Sequence, residues 1–180
     1  MITALLKNAV RYGLTLIVTC LLCACPYSSV YKLDDSPTYN VDEQLLGKWA
    51  VLVDINGHQG PVKMILSKKD EQVYNICFTG YLDALRPFNV ITEDTIKGTA
   101  FMSPAVSRQF MNISVKGQVY IAECLLTDNK LSLLPLNEHF TPRIVKSNEV
   151  LRTALEVHYK TRLKPFYDEA FCLKDMVKVN

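Results

Sequence analysis

The feature that most restricts this chain is a succession of short apolar segments between residues 46 and 136, each closed by a turn signal. Residues 46–55 end in Asn56-Gly57, a dipeptide that accepts the left-handed backbone of a two-residue hairpin. Residues 62–67 end in Lys68-Lys69-Asp70-Glu71, and residues 72–81 place Tyr74, Ile76 and Phe78 on one face by alternation. Pro87 precedes a further segment at 88–91. Others follow at 96–102, 109–115, 119–126 and 131–136, divided by Thr92-Glu93-Asp94, Lys116-Gly117 and Asp128-Asn129. Strands with connections this tight pair most simply with their neighbours in sequence, antiparallel. The expected class is mainly β, an up-and-down antiparallel barrel of about eight strands. The spacing then changes: Val150, Leu151, Ala154, Leu155 and His158 recur at helical intervals, with Ser147 or Asn148 as cap and Pro165 as stop. Lys160, Arg162 and Lys164 lie at or beyond the C-terminal end of this helix, where cations suit the helix dipole. A final strand is expected over 171–179.

The first residues carry a different kind of information. Lys7 and Arg11 form a basic head, residues 14–23 are apolar apart from Thr15 and Thr19, and Leu22-Cys23-Ala24-Cys25 closes the segment. A basic head resists translocation, and the apolar run is shorter than the roughly 20 residues a membrane span needs. A small residue before the cut suits a signal peptidase. The layout resembles a lipobox, which implies a signal peptide over residues 1–24 and a lipid thioether on Cys25. More than one acyl chain is needed for stable anchoring, and the resemblance supplies them. Pro26, where aspartate would signal inner-membrane retention, implies the outer membrane, facing the periplasm. Three alternatives compete: a metal site from Cys20, Cys23 and Cys25, an uncleaved anchor, and an ordinary signal with free release. The apolar setting disfavours metal thiolates, which are charged.

With the leader removed, Lys7 and Arg11 go, leaving 18 basic residues against 18 acidic ones. A formally neutral chain without a basic cluster is a poor nucleic-acid binder, so no nucleic-acid partner is expected. Residues 25–42, rich in Ser, Asp and Pro, read as a tether, with partial docking on the domain expected through Val30, Tyr31, Leu33 and Tyr39. The folded domain is expected over 43–180, and removal of the tether is expected to leave it intact.

Leu46-Gly47-Lys48-Trp49 opens the first strand, and Gly47-x-Trp49 resembles the GxW signature of the lipocalins. In that superfamily the tryptophan plugs one end of a barrel, and a helix and a last strand follow the eighth strand. The order here is similar. The chain also resembles uncharacterised Gram-negative lipoproteins, in its lipobox, its Ser-Pro-containing tether, its Leu-Gly-x-Trp opening and the strand at 129–133. The lipocalins' second and third sequence blocks are not found.

Chemistry is sparse. The chain contains no G-x-S-x-G, H-E-x-x-H, G-x-x-x-x-G-K-[ST] or G-x-G-x-x-G pattern, so no catalytic, metal or cofactor residue is assigned. Of His58, His139 and His158, only His139, beside Glu138 in a loop, is a candidate acid–base or metal group. Cys77, Cys124 and Cys172 fall in predicted strands, as small core residues or as one disulfide with a thiol left over. Asn112-Ile113-Ser114 matches a glycosylation sequon, read as coincidence in a strand. Trp49, Tyr74, Phe78, Tyr81, Phe88, Phe101, Phe110 and Tyr120 either line a cavity for a small apolar ligand or fill the barrel. The expectation is a membrane-anchored, non-enzymatic envelope module that binds a partner protein or a small apolar ligand. The alternative is an envelope hydrolase or thiol enzyme using His139 with a cysteine or carboxylate.

Overall fold

The structure, a computed structural model, describes residues 27–55, 57–82, 95–137, 144–161 and 167–179. The leader with Cys25, the expected strand at 88–91, His139, Arg162 and Lys164 lie outside the described residues. The chain forms β1 (Ser28–Ser29), β2 (Gly47–Ile55), β3 (His58–Lys68), β4 (Tyr74–Gly80), β5 (Thr95–Ala105), β6 (Arg108–Val115), β7 (Gln118–Thr127) and β8 (Lys130–Pro135). The helix α1 (Asn148–Thr161) and β9 (Leu173–Val179) follow.

Strands β2 to β8 form an antiparallel meander, and β9 closes it by pairing with both β2 and β8. The result is the expected antiparallel barrel of eight strands, with the strand after the helix serving as its last wall. Closure removes every free edge from the barrel. Between β8 and β9 the register slips, where Leu131 faces Met176 but Leu133 faces Leu173. Asp175 takes up the extra residue at φ 55° and donates its N–H to Ser132 Oγ at 3.0 Å.

Three hairpins turn through two-residue loops with both residues left-handed, the form that matches strand twist. They are Val106-Ser107, Lys116-Gly117 and Asp128-Asn129. Two of the three carry the expected residues; Val106 adopts φ 47°, unusual for a β-branched side chain.

Inward side chains from all eight barrel strands join one apolar cluster, including Trp49, Met64, Tyr74, Ile76, Met111, Ala122, Leu131 and Met176. A second cluster lies outside the wall, where Leu151, Ala154 and Leu155 of α1 pack with Phe110, Val119, Ile121 and Leu136. Strands β5 to β7 are therefore covered on both faces, which explains continuous buried runs such as Phe110–Ile113 in place of alternation. Phe110 belongs to this outer cluster, and Phe101 shares its outward face, so neither lines the interior.

Of the expected tether, residues 27–34 and Val41 are docked on the domain rather than free, whereas most of residues 35–40 are exposed. Tyr27, Leu33 and Val41 are buried, and β1 extends the wall by pairing Ser28 with Tyr120 and Ser29 with Val119. Polar composition misled because the segment's partners are side chains distant in sequence. The expected docking holds for Leu33 and for Tyr31, which packs on the outer cluster, while Val30 and Tyr39 stay exposed.

Candidate functional site

Trp49 sits at one end of the barrel, 1% exposed. Its Nε1 donates to the Leu45 carbonyl at 2.8 Å, and the Lys178 ammonium lies 5.2 Å from the ring centroid. Gly47 is required beside it. Its φ is 127°, and a Cβ there would come within 2.7 Å of Lys178 Cε. At the same end the Tyr74 hydroxyl accepts the Asp42 N–H at 2.7 Å, which fixes the entry of the chain into β2. The polar atoms of Trp49 and Tyr74 are thus bonded within the chain.

The polar chemistry gathers outside the barrel, in a seam where β5, β6 and β7 meet the N-terminal segment, α1 and the residues before β9. Asn112 is wholly buried; its Oδ1 accepts the Leu33 N–H at 2.7 Å and its Nδ2 donates to Ser103 Oγ at 2.8 Å. Asn112, the sequon asparagine, therefore sits inside the protein and faces a structural partner. Arg152 of α1 donates to Asp34 at 2.5 Å and to the carbonyls of Leu33 and Pro104 at 3.3 and 3.1 Å. Asn148 accepts the Lys32 N–H at 3.0 Å and donates to Asp35, leaving Ser147 as the helix cap through the Val150 N–H.

Glu123 is the most buried charge in this seam, with no exposed surface. It accepts from Arg108 at 2.5 Å and from the Tyr167 hydroxyl. The Arg108 guanidinium also stacks over Tyr159 of α1, 4.7 Å from its centroid. Burial raises the Glu123 carboxyl above its ordinary range, and Arg108 partly offsets this. A raised carboxyl is a common mark of an acid–base centre, but this one is bonded to Arg108 and Tyr167 of its own chain. Glu123 joins the β7 wall to β6 and to the segment leading into β9; it is a staple.

Cys77, Cys124 and Cys172 are free thiols. Cys124 points into the barrel and Cys77 lies on the alternate face of β4, so the two are not placed to bridge. Burial pushes the Cys124 and Cys172 thiols up to about 12, the opposite of what a thiolate nucleophile needs. His58 is exposed at the start of β3, and His158 is buried on α1. Among the described residues no three His, Cys, Asp or Glu side chains come together as a metal site, and no helix is long and apolar enough to cross a membrane.

Sequence reasoning passed over Glu123, Arg108 and Arg152, and met Asn112 only as a sequon and Asn148 only as a cap candidate. A signal existed for Glu123 and Asn112: each is a polar residue inside a run of apolar strand residues, and such a residue needs a partner. No family model, no curated protein and no solved structure matches this chain.

Proposed function

We propose that this chain is a membrane-anchored envelope lipoprotein, lipidated at Cys25, that works by binding a partner protein and not by catalysis. Its place is the outer membrane, facing the periplasm. The leader supports the anchor through the spacing of Leu22, Ala24 and Cys25 after a short apolar run. The observation that carries the binding role is the barrel interior. Inward side chains of all eight strands meet in one apolar cluster, and the Trp49 and Tyr74 polar atoms are bonded within the chain. A barrel filled by its own side chains offers its outer surface for recognition. The thiol-enzyme alternative draws no support from Cys124 and Cys172, whose thiols are held far above neutrality.

One observation favours a second reading, a small apolar ligand. Met64, Met102, Met111 and Met176 all lie in the interior cluster, and unbranched methionines repack around a guest at little cost.

The test begins with labelled palmitate fed to cells making the wild type or Cys25→Ala. Label on the wild type alone supports the anchor; label on both overturns it. Crosslinking and purification of the lipidated protein from its membrane then identify what accompanies it. A stoichiometric protein partner supports the main reading, and a bound apolar small molecule without one replaces it with the second.

A further inference from the structure

The position of Tyr27 sets how far an anchor can stand from the barrel. Its backbone N–H donates to the Leu136 carbonyl at 2.7 Å, and its ring is buried in the outer cluster. Ser28 and Ser29 are already in the wall. Only Pro26 separates Tyr27 from Cys25. Two residues of extended chain span about 7 Å at most. The headgroup layer on one side of a bilayer is itself roughly 5–7 Å deep. Acyl chains on Cys25 therefore reach hydrocarbon only if the protein surface bordering Tyr27 comes close to the headgroups.

We infer that the exposed surface bordering the point where the chain leaves the outer cluster at Tyr27, rather than the α1-covered wall itself, is a phospholipid-contact surface, and that the protein lies against the bilayer on this side without a stalk. This rests on the reading of Cys25 as the lipid attachment site. Two exposed apolar side chains flank the anchor point. Val30, 63% exposed, continues β1 toward the β6–β7 turn, and Leu125, 37% exposed, lies further along the outward face of β7. Apolar side chains on such a surface enter the headgroup boundary and add to the hold of the acyl chains. Lys63, exposed on the outward face of β3 four strands away, belongs to the opposite side of the barrel.

The experiment uses the full chain, made with its leader, extracted, weighed by mass spectrometry and reconstituted into phosphatidylcholine–phosphatidylglycerol vesicles containing brominated phosphatidylcholine. Tryptophan fluorescence is read for Val30→Trp, Leu125→Trp and Lys63→Trp, with wild type supplying the Trp49 background. All three positions are exposed, and a melt of each variant confirms the fold. The added emission at 30 and 125 falls about twofold against unbrominated vesicles, as shallow insertion into the headgroup boundary requires, while that at 63 does not change. If the lipidated protein shows no quenching at 30 and 125, the barrel stands away from the membrane and the inference is wrong, although the anchor survives. If the mass shows no lipid on Cys25, the anchor reading fails and this surface fails with it.

Discussion

Glu123 has no exposed surface, and a carboxylate in that position is tolerated only because Arg108 and Tyr167 reach it. Glu123→Ala leaves both donors without their acceptor and costs about 3 kcal/mol, the low end for a buried pair because Arg108 is partly exposed. Urea denaturation measures it. The same residue predicts a pH dependence. Its folded pKa lies above the ordinary 4.5, so its contribution is fully present below that value and is lost as pH rises through the raised one. Against Glu123→Gln, the wild type therefore loses stability as pH rises above 4.5, read from urea midpoints across a pH series. Trp49 is the opposite case, a residue whose role was legible. A lone tryptophan two residues after a glycine, at the start of the first strand, was expected to be core, and it is 1% exposed. Trp49→Ala costs roughly 3–5 kcal/mol in the same assay. The partners of Glu123 were not legible because local sequence does not reveal which distant arginine or tyrosine comes to a strand.

The legibility of the elements followed the chemistry of their ends. The hairpins at Lys116-Gly117 and Asp128-Asn129 were readable because those residues accept a left-handed backbone. The turn at Val106-Ser107 was not, because tertiary pairing of β5 with β6 imposes it on residues that do not favour it. The helix was readable from its period, and Ser147 caps it as one of two expected candidates. The N-terminal segment was misread. Leu33 meets Asn112 and Asp34 meets Arg152, contacts spanning 79 and 118 residues that leave no local pattern. Arg152→Ala tests this element. It removes the Asp34 pair and two carbonyl bonds, and the expected cost is about 2 kcal/mol. Limited proteolysis gives the more specific reading: cleavage between residues 34 and 40 speeds up in the variant, while the barrel strands stay protected.

At the scale of the whole molecule, the barrel is closed by a strand from its far C-terminal end, and its outer wall is completed by residues from its N-terminal end. The two ends are linked through the seam, since Tyr167 and Asp34 both bind side chains carried by, or packed on, the β5–β7 wall. An anchor at Cys25 would then be attached to a structural element of the barrel, and pulling on one loads the other. The measurement that bears most directly on this is a pair of thermal melts on chains lacking Cys25, one starting at Pro26 and the other at Val41. If residues 27–40 are part of the fold, the shorter chain loses the Leu33 burial, the Asn112 bond and the Arg152 pair. These together are worth several kcal/mol, and its midpoint falls by roughly 10 °C or more. Equal midpoints, within about 2 °C, would show that the segment is a tether after all and that anchor and barrel are separate bodies.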